Sequence, residues 1–239
     1  MNVLRLLLPF LAAVTMFASP AHAIIVLDFE GVNATYPSGH AFVQGFYNGG
    51  TSSDGTTGTN FGIGFTANAQ AICLNTPGSF CSNTSRGGLG NPGSDKGALF
   101  FLSGSETFMN VAAGFDTGFS FFYTAIGQPG SVSVFDGLSG TGALLATLNL
   151  PTTLSSCDSS FGAGFCPFLA SGIAFSGIAQ SVSFAGSANQ VVFDDITFGS
   201  VTPGELSPVP EPASLILFGT GLSGMALAAW RRRKQQQPS

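Results

Sequence analysis

Charged side chains make up only 8% of these 239 residues, about a third of the share usual in soluble domains. Basic residues are the scarcest of them. Between residues 24 and 200 only Arg86 and Lys96 are basic, against ten acidic side chains. Such a surface repels phosphate backbones, which excludes DNA and RNA as partners. Histidine is nearly missing: His22 lies in the leader described below, so His40 is the one histidine left for the body. A Ser-His-Asp or Cys-His machine would have to be built around it, yet no G-x-S-x-G motif accompanies it, and histidine-based metal sites lack ligands. In a Ser-Gly-His-Ala turn, His40 reads as a surface residue. No C-x-x-C is present, which removes the thiol redox motif. Sustained helical periodicity is absent from the body as well.

What is present begins with an address. Met1–Ala23 has one positive charge, Arg5, an apolar core Leu6–Phe17, and Ala21-His22-Ala23 at its end. These are the parts of a secretory signal peptide cleaved after Ala23, giving a mature chain that starts at Ile24. The opposite end carries Val209-Pro210-Glu211-Pro212, then Ala213–Trp230 without a charge or a proline, then Arg231-Arg232-Arg233-Lys234. As a helix the apolar run would reach about 27 Å, near the thickness of a bilayer core. Its glycines are tolerated in a membrane span, and the basic end marks the cytoplasmic side. Pro210 and Pro212 fix the helix start at or just after Pro212. An export signal and a transmembrane tail both require an extracytoplasmic middle.

The order Pro-Glu-Pro, apolar helix, Arg-rich end resembles the PEP-CTERM sorting signal of exopolysaccharide-producing Gram-negative bacteria. The resemblance covers 209–234. It implies recognition by exosortase, a membrane protease-transpeptidase, and delivery to the periplasm, cell surface or extracellular matrix. The expected organisation is a signal peptide (1–23), a β domain (24–200), a linker (201–208), the sorting signal (209–234) with its helix (213–230), and a polar tail (235–239).

In the body, short apolar or alternating runs recur between Gly, Asn, Asp and Pro punctuation. Ile24–Glu30, Ala41–Tyr47, Phe61–Ala67, Ala98–Ser103, Phe119–Ile126, Ser131–Phe135, Ala143–Leu150, Ile173–Phe175, Ser181–Ala185 and Gln190–Phe198 are the candidate strands. Asp136-Gly137 marks a turn after a strand. Many strands without intervening helices predict an all-β fold, a jelly-roll-like β-sandwich whose phenylalanines fill the space between sheets. Gly49–Thr59 and Ser82–Gly97 are glycine-rich and polar, and read as long loops inserted at an end of the sandwich.

Cys73, Cys81, Cys157 and Cys166 are even in number in an exported chain, so disulfides are the default. Of three connectivities, Cys73–Cys81 and Cys157–Cys166 each close a short loop around Gly and Pro. The remaining chemistry is carboxylate. Asp28 and Glu30 share a face of the first strand because side chains alternate. Asp194 falls in register with Val192, Ile196 and Phe198, where a carboxylate is costly unless bonded or bound to a cation. With Asp195 they form an oxygen-rich set suited to Ca2+. The two segments resemble the ends of jelly-roll carbohydrate-binding and galactose-binding-like modules, where such residues share a structural calcium. Tyr36, Tyr47 and Tyr123 are the polar aromatics that a sugar could use, since Trp230 sits at the membrane edge. The expectation is a non-enzymatic surface or matrix protein, structural or adhesive in a biofilm. Partners are exosortase, the membrane and exopolysaccharide. A calcium-dependent carbohydrate-binding module is the alternative. A hydrolase of matrix polymer would have to draw on the same four carboxylates.

Overall fold

Apolar side chains that alternate with Ser, Thr and Gly cover one face of a strand and leave the other polar, and this pattern sets both sheets of the protein. The computed structural model describes residues 25–34, 39–74, 96–153 and 168–204, all within one compact unit, Ile24–Ser207. The strands are β1 (Val26–Leu27), β2 (His40–Phe42), β3 (Ile63–Phe65), β4 (Gln70–Cys73), β5 (Gly97–Phe100), β6 (Glu106–Phe115), β7 (Gly118–Ala125), β8 (Gly130–Phe135), β9 (Leu144–Leu150), β10 (Leu169–Ala174), β11 (Ala179–Ala185) and β12 (Val191–Phe198). The first sheet has the order β10-β7-β12-β5-β4-β2, with β1 also paired to β12; the second has the order β3-β6-β11-β8-β9. All their pairings are antiparallel. The chain is thus a β-sandwich. From β5 onward successive strands change sheet at every step except β8 to β9, which form a hairpin pair.

The main core lies between the sheets and is built on phenylalanine. Phe119, Phe121 and Phe193 from the first sheet meet Phe184 from the second, with ring centroids 4.7 Å apart for Phe184 and Phe193. Most of these contacts are edge-on, the arrangement the ring quadrupole favours. A smaller cluster, Ile72, Leu74, Ala98, Phe100, Phe168 and Val192, lies apart from it. Ile72, Ala98, Phe100 and Val192 alternate with core-facing Ala71, Leu99 and Phe193 along β4, β5 and β12, so they occupy the outer face of the first sheet.

Two local features differ from the sequence expectation. The first strand stops at Leu27, because Phe29 takes a left-handed conformation with φ 56°. A bulky residue is seldom found there. Phe29 is held by burial, by edge-on rings from Tyr47 and Phe65, and by its N–H bonding the Tyr47 hydroxyl at 2.9 Å. Asp28 and Glu30 therefore do not share a strand face. The second feature is a bulge in β12. Asp194 pairs with Phe122 and Thr197 with Ser120, so three steps along β12 match two along β7. Asp195 is the left-handed residue at this point, with φ 45°. Alternation changes phase across it. Val191 and Phe193 before it face the main core, and so do Ile196 and Phe198 after it. Asp194 consequently shares the outer face with Val192 and not with Ile196 and Phe198.

The stretch Gly49–Thr59 is a loop as expected, but a packed one. Gly45 and Gly50 bond across it, Ser52 is buried, and Gly58 lies too close to the Phe46 ring to admit a Cβ. Asp136-Gly137 does follow β8, opening a loop with a single 3-10 turn, Leu138–Gly140.

Candidate functional site

β1 pairs only with the far end of β12, Val26 opposite Thr197 and Leu27 opposite Ile196. The next residues on each strand are Asp28 and the bulge residue Asp195, so the ladder ends with two carboxylates beside each other. Their charges repel: Asp195 is one reason the Asp28 carboxyl holds its proton to higher pH than a free aspartate. Burial is the larger cause, even though Asp28 as a whole residue is exposed. Hydrogen bonds from the Glu30 N–H, at 3.1 Å to Oδ1, and from the Tyr47 hydroxyl act the other way. Asp195 itself is buried, with its carbonyl accepting from the Thr197 hydroxyl at 2.8 Å.

The other two carboxylates are employed elsewhere. Glu30 Oε1 accepts the N–H groups of Lys96 and Gly97 at 2.5 and 2.6 Å, fixing the start of β5. Gly97 passes so near the Phe29 carbonyl that a Cβ would lie 2.4 Å from it. Asp194 accepts its neighbour's N–H, from Asp195, at 2.8 Å and stays on the outer face. The structure thus joins Asp28 with Asp195 and separates Glu30 and Asp194 from them. Among the described residues no group of three or more His, Cys, Asp or Glu side chains is arranged to hold a metal ion.

The aromatic candidates for sugar contact are differently placed from the sequence expectation. Tyr47 and Tyr123 are buried, at 3% and 4% exposure. Tyr47 orders the Asp28–Phe29 turn, and the Tyr123 hydroxyl reaches the Pro151 carbonyl at 3.4 Å. Neither offers a face to a ligand; Tyr36 lies outside the described residues. Phe42, 40% exposed on β2, is an aromatic that sequence reasoning passed over. His40 is exposed as expected, although it sits in β2 and not in a turn. An open groove of about 510 Å³ lies between the β7–β8 and β11–β12 connections and the end of β9, lined by Pro129, Gly130, Asn149, Pro151 and Gly186 without an ionisable group. Cys73 is fully buried at the end of β4 and is not a free thiol. Cys81, Cys157 and Cys166 lie outside the described residues.

The C-terminal reading rests on sequence, since 205–239 and the leader 1–23 also lie outside the described residues. Residues 208–234 match the family described as the PEP-CTERM protein-sorting motif. The chain carries a PEP-CTERM sorting motif. The motif includes Val209, Pro210, Glu211 and Pro212 and ends on Arg231, Arg232, Arg233 and Lys234. Among the described residues no helix is long and apolar enough to cross a membrane; the expected span 213–230 is not among them. No curated protein matches the chain. Among solved structures it is similar to a glycoside hydrolase family 43 arabinoxylan arabinofuranohydrolase from Bacillus subtilis in complex with cellotetraose. The identity is 18% and the TM-score 0.32, over 60% of this chain and 25% of that one. The chain spans about a quarter of that enzyme's length, and a likeness at this TM-score carries no argument about activity.

Proposed function

We propose that the protein is exported, held in the membrane by residues 213–230, and processed by exosortase at its PEP-CTERM motif. Its body then serves a structural or adhesive role at the cell surface or in an exopolysaccharide matrix, without catalysis. The observation that carries this reading is the motif match at 208–234. A membrane-length apolar run and a basic stop follow the Pro-Glu-Pro sequence, and a leader with an A-x-A end stands at the other terminus. The body follows, from β5 onward, the double Greek key of a jelly roll in its strand order, β5-β12-β7-β10 against β6-β11-β8-β9. Its two local cysteine pairs, Cys73–Cys81 and Cys157–Cys166, would close loops in an oxidising compartment. Intact mass of the protein recovered from cells with and without exosortase tests the proposal. Loss of the C-terminal segment only in exosortase-positive cells is the expected result; identical masses would end the sorting reading.

A second reading is a calcium-dependent carbohydrate-binding module. It is favoured by the Asp28–Asp195 pair, whose mutual repulsion a divalent cation would relieve. Calcium there would take these two carboxylates and nearby carbonyl oxygens, with Asp194 and Glu30 outside its reach. Phe42 is the exposed ring a sugar would stack on. Calorimetry with calcium and with purified exopolysaccharide tests it, and no heat in either titration would retire it.

A further inference from the structure

The histidine of the body, an exposed aromatic ring and a stranded amide meet on one patch of the first sheet. Ala41 and Ala71 face the main core, so their neighbours His40, Phe42, Gln70 and Ile72 on β2 and β4 face outward. Register sets them side by side. His40 lies opposite Ile72, and Phe42 lies opposite Gln70, which in turn lies opposite Phe100 on β5. Phe42 is exposed, and Ser53 fixes the backbone beneath it. The Ser53 hydroxyl accepts the Phe42 N–H at 2.9 Å, and the Ser53 N–H donates to the Phe42 carbonyl at 3.0 Å. His40 is exposed too, and its ring meets Phe100 edge-on with centroids 5.7 Å apart. Flanked by Phe42 and Phe100, Gln70 is buried at 3% exposure, and its Oε1 has no hydrogen-bond partner. A buried amide oxygen left without a donor weakens a fold, and native proteins keep few of them.

We propose that this patch binds a pyranose unit of a neutral polysaccharide. The proposal rests on the carbohydrate part of the second reading above and not on its calcium. Phe42 offers an apolar face to the C–H groups of a sugar ring, while hydroxyl groups of the same unit bond the Gln70 amide and a nitrogen of His40. The last torsion of a glutamine side chain is soft, so the Gln70 amide turns at little cost and brings Oε1 to a sugar hydroxyl. Binding then supplies the donor that the folded chain withholds. Charge selects the class of polymer. Between 24 and 200 two basic residues stand against ten acidic ones, so a chain of uronate or sulfate units is repelled by the body. Neither Phe42 nor Gln70 brings a positive charge that would offset that repulsion. A neutral polyol meets no such barrier.

Affinity electrophoresis of the full chain tests the proposal, run in a polyoxyethylene detergent that carries no sugar head group. The probes are dextran, galactomannan and xyloglucan, which are neutral, and alginate, a polyuronate. At least one neutral polymer should retard the wild type, in calcium and in EDTA alike, and alginate should not. Phe42→Leu keeps apolar bulk without the flat ring and should weaken retardation by about tenfold or more. Gln70→Met should weaken it to a similar degree and yet raise the melting temperature, because it removes a stranded oxygen from a buried position. A Gln70→Met chain that melts higher and binds as the wild type does overturns the proposal, since the amide would then have no part in the contact. Retardation that requires calcium and survives both substitutions overturns this site while leaving the calcium-dependent reading in place. No retardation by any neutral polymer overturns the site and the carbohydrate reading together. Equal retardation by alginate overturns the choice of a neutral polymer and the proposal with it.

Discussion

Asp28 carries its proton further up the pH scale than an ordinary aspartate, and that shift has a sign. The folded-state value lies above the ordinary aspartate value of 3.8 because burial and then the Asp195 charge disfavour ionisation. The folded chain therefore binds this proton more readily than the unfolded chain does. The stabilisation is fully present below pH 3.8 and is lost as pH rises through the folded-state value. Asp28→Asn keeps an acceptor for the Glu30 N–H and the Tyr47 hydroxyl while removing the charge. The difference in melting temperature between variant and wild type should grow in the variant's favour as pH climbs out of the acid range. Parallel melting profiles would show that the pair is not coupled to folding. Calcium bound at the pair would add a second signature, raising the wild-type melting temperature and leaving Asp28→Asn unmoved. Nearby, Gly97→Ala forces a methyl group against the Phe29 carbonyl and should cost roughly 1–3 kcal/mol in denaturant unfolding. Glu30→Ala strips two amides of their acceptor, a loss of about 1–3 kcal/mol for each one left unsatisfied.

At the scale of the element, β12 depends on its bulge. Removing Asp195 would restore simple alternation and swing Ile196 and Phe198 out of the main core, because a one-residue slip exchanges the faces of a strand. Deletion of Asp195 should abolish cooperative unfolding, whereas deletion of Ser187 in the β11–β12 connection should leave it in place; calorimetry distinguishes them. This dependence explains what was legible in advance. Val132 and Val134 alternate with serines, and β8 follows directly from them. Phe119–Ile126 differs from β7 by a residue at each end. β6, the longest strand, escaped because Phe108 stands on its outward face and spoils the alternation; that ring is covered by Gly140, where a Cβ would meet it at 2.5 Å. β4 escaped because it is buried throughout, so its Gln-Ala-Ile-Cys shows no polar side. The site was half legible. The Asp28–Asp195 apposition came from the ends of the domain being strands, which the sequence pattern shows. The separation of Glu30 and Asp194 came from two left-handed residues, Phe29 and Asp195, that no local pattern announces.

For the whole molecule, the sandwich and the PEP-CTERM motif make separable predictions. Replacing Pro210, Glu211 and Pro212 with alanine should leave export and folding intact and block tail processing, read as a mass difference in the recovered protein. Removing 209–239 should release the folded body from the membrane fraction. A tail-less chain that still sediments with membranes would mean that another surface holds it.

β12 lies inside the first sheet, between β7 on one side and β5 and β1 on the other, and it is the strand that runs into residues 201–204 and on toward the C-terminal motif. Were the body held by that end, a pull would enter the sheet at the C-terminal end of β12. Tension of that kind loads the flanking ladders together in shear, the direction in which a sheet yields last, and does not unzip them one rung at a time.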